Sequence, residues 1–361
     1  MRVLVTGHKG YIGTILAPML QKAGHSVLGL DSDLYRNSTF GESLPQVPEI
    51  LKDIRDVEKA DLSGIDAIVH LAGLSNDTLG DLNPSLTYEI NHAASVRLAA
   101  MAREVGISRF VFASSCSNYG AAGNEMQDEN AELHPVTPYA ISKVMVERDV
   151  KHLADDNFSP VFMRNSTAYG VSPRMRFDLV VNNLTAWAYT TGHILLKSDG
   201  TPWRPLVHIE DISLAVIAAL AAPREAIHNQ AINVGMNSEN YQVFQLAEFV
   251  KATVPNCEIK LAEGAEPDKR NYRVDFSKYV RTFPKYPLQW NVPRGVKQIY
   301  DSYRQIGLQK DVYEGPKYKR IAQIQHLLST GQLDDTLRWR SNGGDARQMH
   351  PISASTGSGD R

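Results

Sequence analysis

A tyrosine and a lysine spaced four residues apart could perform proton transfer. Tyr139 and Lys143 lie in the segment Tyr-Ala-Ile-Ser-Lys, and this spacing puts both side chains on one face of a helix. A phenol has a pKa of about 10 and is a poor base at neutral pH, but a nearby ammonium group stabilises its phenolate form. We therefore expect Tyr139 to exchange a proton with a substrate hydroxyl. Two exposed residues on a helix surface would give the same spacing.

A glycine-rich turn near the start of the chain could hold a dinucleotide. Residues 6–13 read Thr-Gly-His-Lys-Gly-Tyr-Ile-Gly and join an apolar strand to a helical pattern. Gly7 would allow a sharp turn, Gly10 a close approach of the pyrophosphate, and Gly13 tight packing of helix on strand. The N–H groups at the start of the helix would then face the phosphates.

An acidic residue at the end of the second predicted strand indicates which dinucleotide is bound. Asp31 follows Gly13 by 18 residues. A carboxylate there can accept hydrogen bonds from the adenosine ribose and would repel a 2′-phosphate, which favours NAD over NADP. Lys9 and Arg36 are nearby cations that could bind that phosphate instead, so NADP stays open as the alternative.

The elements that position these residues alternate between short apolar strands and helical patterns. Strands are predicted near 3–5, 27–30, 49–51, 67–71, 109–113 and 159–164, and helices near 11–22, 86–105, 138–154 and 210–221. This alternation predicts an α/β fold, a Rossmann-like doubly wound parallel sheet with a smaller C-terminal α+β region that binds substrate. We expect a cofactor domain over 1–170, with a strand and helix returning at about 205–235. The substrate region is expected over 171–335, and a disordered tail rich in Gly, Ser and Asp over 340–361.

Composition excludes several classes of protein. The 361 residues are 43% apolar and 22% charged with a net charge of −2, which fits a globular protein and gives no field to attract nucleic acid or an anionic membrane. Cys116 and Cys257 are the two cysteines, so neither a disulfide framework nor a Cys-rich zinc site is expected, and no histidine spacing suggests a metal site. The sequence contains no membrane-span pattern and begins with a predicted strand. We expect a cytoplasmic protein.

Five further motifs carry a family resemblance. The first, His70-Leu71-Ala72-Gly73, lies at the end of the fourth predicted strand, and the second, Ser114 to Gly120, reads Ser-Ser-Cys-Ser-Asn-Tyr-Gly. The third is the segment from Tyr139 to Lys143. The fourth, Arg164 to Gly170, reads Arg-Asn-Ser-Thr-Ala-Tyr-Gly, and the fifth, Arg204 to Asp211, reads Arg-Pro-Leu-Val-His-Ile-Glu-Asp. Together with the glycine turn, they resemble the extended branch of the short-chain dehydrogenase/reductase superfamily, the nucleotide-sugar epimerases and dehydratases. The likeness runs over about residues 1–310. Thr167 stands where that family usually has Asn.

The resemblance implies a set of site residues, with NAD as cofactor and a nucleotide-diphosphate sugar as substrate. Catalysis would fall to Ser115, Tyr139 and Lys143. The cofactor-binding residues would be Gly7, Gly10, Tyr11, Ile12, Gly13, Asp31, Asp53, Ile54, Leu71, Ala72, Gly73, Asn91, Tyr139, Lys143 and Ala168. The substrate-binding residues would be Ser75, Ser117, Thr167, Asn183, Arg204, Arg270 and Arg273.

The residues after Ser115 distinguish the subclasses of this family. The 4,6-dehydratases carry Asp and Glu where this chain has Cys116 and Ser117. Without those carboxylates we favour an epimerase acting at C4, with a reductase, dehydratase or decarboxylase as the alternative and a non-catalytic NAD(P) sensor as a weaker one. Cys116 is expected to be a buried packed residue.

Proteins similar to this one commonly form homodimers through two helices per subunit, here the segments 86–105 and 138–154. We therefore expect a homodimer. The small residues Ala93, Ala99, Ala100 and Ala102 would allow close contact, although they could instead pack on the sheet.

Overall fold

The computed structural model describes residues 1–41, 43–75, 77–123, 125–196, 198–263 and 270–340. Within these residues the strands form one large sheet of seven parallel strands, which positions the site, and three smaller sheets. The strands are β1 Arg2–Thr6, β2 Ser26–Asp31, β3 Glu49–Leu51, β4 Ala67–His70, β5 Arg109–Ser115, β6 Met126–Gln127, β7 Ser159–Asn165, β8 Thr167–Tyr169, β9 His193–Leu196, β10 Trp203–His208, β11 Gln230–Val234, β12 Asn240–Gln242, β13 Glu258–Leu261 and β14 Arg273–Val274. The helices are α1 Gly13–Lys22, α2 Asp77–Leu82, α3 Pro84–Tyr88, α4 Ala94–Glu104, α5 Pro138–Lys151, α6 Val180–Thr191, α7 Ile209–Ala221, α8 Arg224–Ile227, α9 Val243–Thr253, α10 Ser277–Thr282, α11 Val292–Ile306, α12 Lys310–Glu314 and α13 Arg320–Ser329.

The order of the large sheet is β11-β7-β5-β4-β1-β2-β3. The chain runs from β1 to β2 and β3 on one side and then crosses to β4 on the other, so the order reverses between β1 and β4. Crevices beyond the carboxyl ends of parallel strands bind ligands at such a reversal. The predicted α/β fold with a parallel sheet is therefore confirmed.

Both faces of the sheet are buried, which explains the continuous apolar strands. Leu4 of β1 packs into the core on the side of α4 and α5, whereas its neighbours Val3 and Val5 pack into the core on the side of α1 and α7. His70 ends β4 inside this core, between the hydroxyls of Thr6 and Ser95 at 2.6 and 2.7 Å. Burial lowers the pKa of His70 to about 3, so its role is structural.

The helix predicted over 86–105 is interrupted. A π-helical turn, Glu89–Ala93, separates α3 from α4. At this turn the Asn91 carboxamide accepts a hydrogen bond from the Leu74 backbone N–H at 2.7 Å and donates to the Leu74 carbonyl at 3.0 Å. A π turn inserts one extra residue and so shifts the apolar positions that follow it, but this one covers only five residues, too few for the sequence pattern to reveal it.

The second region contains a sheet of β12, β10 and β8 and a core formed mainly by α6, α9 and α11. The C-terminal helix α13 lies elsewhere: Ile324 and Leu327 pack into the cofactor-side core together with Leu333 and Leu337. Residues 320–340 therefore belong to the cofactor half, although the sequence placed the segment up to 335 with the substrate region. The tail expected after Arg340 lies outside the described residues.

Two of the four alanines proposed for dimer contact are buried within the chain itself. Ala99 and Ala102 have no exposed surface and pack in the cofactor-side core, whereas Ala93 is exposed and Ala100 is half-buried. Among the helices of the described residues, none is long and apolar enough to cross a membrane.

Candidate active site

The glycine turn has the geometry that the sequence predicted. Gly7 has a φ of +74°, and a Cβ there would lie 2.8 Å from the backbone nitrogen of Ala72. A Cβ on Gly13 would lie 2.4 Å from the carbonyl oxygen of Gly7. A side chain at either position would clash with the neighbouring backbone. Because both residues are glycine, the turn can bring the start of α1 close to the end of β4. The first N–H groups of a helix lack intrahelical partners, so this end of α1 suits a pyrophosphate.

An acidic cluster lies next to that turn, where the sequence predicts that the adenosine ribose binds. Asp31 accepts the backbone N–H of Lys9 at 2.9 Å and that of Asp33 at 2.8 Å, which fixes its carboxylate at the rim of the groove. Burial raises the pKa of Asp31, and the backbone hydrogen bond from Asp33 opposes that rise. The Lys9 ammonium pairs with Asp33 and Glu49, at 3.0 and 2.8 Å. The Arg36 guanidinium lies 3.4 Å from the centre of the Trp339 ring. The two cations that left NADP open are thus both engaged within the chain.

The adenine end of the groove has apolar and acidic walls. Asp53 caps the short turn Ile54–Asp56 by accepting the Arg55 backbone N–H at 2.8 Å. Burial would raise the pKa of Asp53, but the hydrogen bonds and charge of Arg55 lower it below its usual value. Ile54 faces the groove beside Leu30 and Leu337.

Most of the predicted cofactor residues line this one groove, namely Gly7, Gly10, Tyr11, Ile12, Gly13, Asp31, Asp53, Ile54, Leu71, Ala72, Gly73 and Ala168. Its apolar adenine wall, its acid at the ribose and its helix N-terminus together fit NAD. Asn91 is not among the lining residues. It is buried behind them and holds Leu74, while a Cβ on Gly73 would lie 2.9 Å from its Oδ1 atom. A direct contact of Asn91 with the cofactor stays a prediction.

The three predicted catalytic residues meet where α5 crosses the end of β5. Thr137 caps α5 by accepting the Ala140 backbone N–H at 3.2 Å, and Pro138 begins the helix, so Tyr139 stands in its first turn. Ser115 is the last residue of β5, and its hydroxyl oxygen accepts the Ser117 backbone N–H at 3.1 Å. The Ser115 hydroxyl lies close enough to Tyr139 to act against the effect of burial on its pKa, and so favours the phenolate. The fold therefore places Ser115, Tyr139 and Lys143 at one site.

The charges that act on the pKa of Tyr139 differ from those expected from the sequence. Burial raises the pKa of Tyr139, and the charge of Arg176, rather than that of Lys143, is the first influence that opposes the rise. The Lys143 ammonium lies 5.8 Å from the centre of the Tyr139 ring and donates a hydrogen bond to the Ala113 carbonyl at 2.7 Å. Burial lowers the pKa of Lys143 to about 8, while the charge of Glu147 acts in the opposite direction.

A second cleft lies beside the cofactor groove and shares residues with it. The cleft is lined by all three catalytic residues and by most of the predicted substrate residues, namely Ser75, Ser117, Thr167, Asn183, Arg204 and Arg270. The residues common to cleft and groove are Ile12, Leu71, Ser75, Ala168, Arg176 and Arg320. A cofactor in the groove would therefore face a substrate in the cleft.

The cations of the cleft are held by its own polar groups. Arg270 donates to Asp77 Oδ2 at 2.6 Å, and Arg204 donates to the Trp203 carbonyl at 2.8 Å and to the Arg270 carbonyl. Arg273 does not line the cleft, because its guanidinium lies over the Trp203 ring at 4.6 Å from the ring centre. Its role in substrate binding stays a prediction.

Cys116 is a packed residue, as the sequence suggested. It has no exposed surface, and its thiol donates to the Arg164 carbonyl at 3.1 Å. Burial raises the pKa of Cys116 to about 12, so the reactive thiolate does not form at neutral pH.

Arg176 is a buried cation at the junction of groove and cleft that the sequence did not reveal. It forms two hydrogen bonds with the Asp178 carboxylate, at 2.6 and 3.1 Å, and donates to the Ser75 hydroxyl at 3.3 Å. Arg176 follows the Tyr-Gly motif by six residues in irregular chain, where no periodic pattern indicates the direction of a side chain. Arg320, which also lines both the groove and the cleft, was missed because the sequence placed its helix α13 with the substrate region, whereas α13 packs on the cofactor half.

Comparison with known proteins identifies the family. Residues 3–235 match the model of the NAD dependent epimerase/dehydratase family. A UDP-glucose 4-epimerase of Bacillus subtilis is 25% identical over 335 residues, which cover 84% of this chain and 96% of that protein.

Two solved structures share the fold. The UDP-glucose 4-epimerase of Thermotoga maritima with UDP-glucose has a TM-score of 0.75 at 21% identity, covering 85% of this chain and all of that one. The dTDP-glucose 4,6-dehydratase DesIV of Streptomyces venezuelae with NAD bound has a TM-score of 0.74 at 23% identity, covering 86% of this chain and all of that one.

The matched residues 3–235 make up more than half of the chain and include both the glycine turn and the helix of Tyr139. The chain belongs to the NAD dependent epimerase/dehydratase family, and it is an NAD-dependent enzyme.

Proposed function

We propose that the protein is a nucleotide-sugar epimerase that inverts C4 of a hexose. The observation that carries the proposal is the position of Ser115, Tyr139 and Lys143 on the wall of the cleft that joins the cofactor groove. The UDP-glucose 4-epimerases among its relatives support UDP-glucose and UDP-galactose as the first substrates to test.

The side chains would divide the reaction as follows. Tyr139 takes the proton of the C4 hydroxyl and later returns it to the same oxygen, while Ser115 hydrogen-bonds that oxygen and shares the proton. Reversible hydride transfer at C4 is the chemistry that NAD would supply when it is bound in the groove. Lys143 holds the nicotinamide ribose through its ammonium group. The 4-keto sugar turns between the two transfers, so the hydride returns to the opposite face, and the net reaction consumes neither cofactor nor water.

The surroundings of Tyr139 set the condition under which it can act as a base. Burial keeps the phenol neutral, because it raises the pKa of Tyr139. A positive charge brought close to a phenol lowers its pKa. Binding of the oxidised, positively charged cofactor beside Arg176 would therefore lower the pKa of Tyr139. Tyr139 would become a base in the complex with oxidised cofactor, where the substrate hydroxyl must lose its proton.

The polar side chains of the cleft would bind the nucleotide diphosphate. Arg204 and Arg270 supply planar guanidinium groups of the kind that suits phosphate oxygens, and Asn183 stands nearby on α6. Asn183 donates to the Phe177 carbonyl at 2.8 Å, which fixes its carboxamide at the wall.

Dehydration is the less favoured alternative on this scaffold. Elimination of water needs an acid and a base beside the tyrosine. The positions that carry those carboxylates in the 4,6-dehydratases hold Cys116, which is buried, and Ser117, whose hydroxyl donates to Ser115 at 2.7 Å.

The test is incubation with a panel of nucleotide sugars, beginning with UDP-glucose, followed by separation of the products. The proposal requires a product of unchanged mass and inverted configuration at C4, formed without net reduction of NAD. A product lighter by one water, a decarboxylated product or stoichiometric NADH would contradict it. A variant with Arg103→Ala, a surface residue paired with Asp155, should show the activity of the unmodified chain and serves as the control.

A further inference from the structure

The last described residues form a hairpin, residues 332–340, which we call the C-terminal hairpin. Leu333 and Trp339 face each other in an antiparallel bridge, and the Arg340 backbone N–H donates to the Gln332 carbonyl at 2.9 Å. The Asp334 carboxylate closes the turn by accepting the Arg338 backbone N–H at 3.0 Å. The segment therefore has a defined shape of its own.

One side of the hairpin is attached to the loop after β2. The Trp339 indole N–H donates to the Ser32 carbonyl at 2.7 Å, directly beside Asp31 at the ribose position. Arg36, from the same loop, covers the Trp339 ring at 3.4 Å. A guanidinium over an aromatic ring adds an attraction to that hydrogen bond.

The other side is attached to the turn after β3. Asp53 and Ile54 of this turn line the groove, as do Ser32 and Asp33 of the loop after β2, and we call these two segments the rims of the groove. Arg338 pairs with Asp56 at 2.7 Å, and Arg55 donates to the Thr336 carbonyl at 2.8 Å. The same Arg55 pairs with Asp53 at 2.8 Å. The hairpin thus joins the loop after β2 to the turn after β3 and is attached at both rims.

Leu337 stands at the tip of the hairpin and lines the groove together with Ile54 and Leu30. Its side chain is only 4% exposed, and its φ of +61° lies in the left-handed region that a leucine rarely adopts. Such a conformation persists only where the surroundings impose it, and it often marks a functional site. Here it directs an apolar side chain into the adenine end of the groove.

We propose that the C-terminal hairpin is a strap that retains the adenosine half of NAD. Leu337 covers the adenine, and the contacts of Trp339 and Arg338 with the two rims must break before the cofactor leaves. Release of NAD is therefore limited by opening of the hairpin. Retention suits an enzyme that returns the hydride in every cycle, but the proposal itself requires only that NAD binds in the groove.

The test measures release of NAD directly. Protein loaded with radiolabelled NAD is mixed with excess unlabelled NAD, and the label that stays bound is followed in time. Trp339→Ala removes a hydrogen bond and a cation–π contact, so release should be about tenfold faster. Arg338→Ala should also speed release, and the effect of this exposed ion pair should shrink in high salt. Arg103→Ala, which breaks a matched surface pair with Asp155, should leave release unchanged.

A second variant tests the contact at the adenine. Leu337→Asn keeps the left-handed turn, because asparagine tolerates it, but removes the apolar cover. It should weaken the binding of both NAD and ADP-ribose in calorimetry by about tenfold. The exposed Leu82→Asn is the matched control.

Release rates of the Trp339 and Arg338 variants equal to that of the Arg103 variant, with circular dichroism unchanged, would overturn the proposal. The readout is cofactor release, so the result stands apart from the question of which sugar is epimerised. A protein that binds NAD but epimerises no sugar would contradict the proposed function and leave this test intact.

Discussion

The buried ion pair behind the catalytic helix provides a prediction of stability. Glu147 follows Lys143 by one turn of α5, and Arg164 lies in β7. Their side chains are 9% and 7% exposed, and the Arg164 guanidinium donates to the carboxylate at 2.7 and 3.1 Å. The carboxylate also accepts hydrogen bonds from Ser114 at 2.5 Å and from Asn118 at 3.0 Å. The pair therefore fastens α5, with Tyr139 and Lys143, to the strands beneath it.

Glu147→Gln keeps the size of the side chain but removes its charge. The buried Arg164 cation is then left without a compensating carboxylate, and removal of one partner of a buried pair costs about 3–5 kcal/mol. Because glutamine still accepts part of the hydrogen bonds, we expect the free energy of unfolding to fall by about 3 kcal/mol, the lower end of that range. Arg164→Met in the same chain removes the uncompensated cation and should restore more than half of the loss.

Urea unfolding followed by circular dichroism measures these differences. The control is Lys59→Ala, which breaks the exposed pair with Glu104 and should leave the free energy of unfolding nearly unchanged. If Glu147→Gln costs no more than Lys59→Ala, or if the double variant is less stable than the single one, the reasoning about an uncompensated buried charge is wrong.

Three more predictions follow from the site and the surface. Asp31→Asn removes the charge that repels a 2′-phosphate, so the preference for NAD over NADP in calorimetry should fall by about tenfold; an unmodified protein that already prefers NADP would contradict the role of Asp31. Burial lowers the pKa of Lys143 to about 8, so kcat/KM should fall as the pH rises through that value and the ammonium loses its proton. Glu147→Gln should move the fall in kcat/KM to lower pH, because the Glu147 charge raises the pKa of Lys143. If kcat/KM of the unmodified protein stays level well above pH 8, the role of the Lys143 ammonium is contradicted. Light scattering should give a dimer, with Ala93→Trp weakening association because Ala93 is exposed on the proposed face; a monomer of 40.0 kDa for the unmodified chain would refute the assembly.

The sequence predicted those parts of the fold that depend on local pattern. Val3-Leu4-Val5 reads as a buried strand because both faces of a parallel strand meet helices, and the glycines at 7, 10 and 13 have a steric reason for their positions. Tyr139 and Lys143 were found from their spacing, because a regular helix fixes the relative directions of two side chains four residues apart. Ser115 was found from the family resemblance of the motif that ends β5.

The parts that were missed depend on contacts between distant segments. Arg176 lies in irregular chain after β8, and its position at the junction results from its pairing with Asp178 and the approach of α1. The hairpin around Leu337 covers residues near Asp53 that are more than 280 positions earlier, and no local pattern indicates that return. Lys143 was expected to lower the pKa of Tyr139, but burial raises that pKa and Arg176 is the first cation that opposes the rise. Burial and the position of Arg176 become known only with the three-dimensional structure.

The most direct test of the central claim is the turnover of Tyr139→Phe on UDP-glucose, or on whichever nucleotide sugar the panel identifies. The substitution keeps the ring and removes only the oxygen that carries the proton. General acid–base catalysis contributes roughly 10²–10⁴-fold, so kcat should fall by about that factor while the affinity for NAD stays nearly unchanged. Tyr300→Phe, on helix α11 and outside the residues that line the groove and the cleft, is the matched control and should retain full turnover. A Tyr139→Phe protein that epimerises at the rate of this control would contradict the claim that Tyr139 transfers the proton.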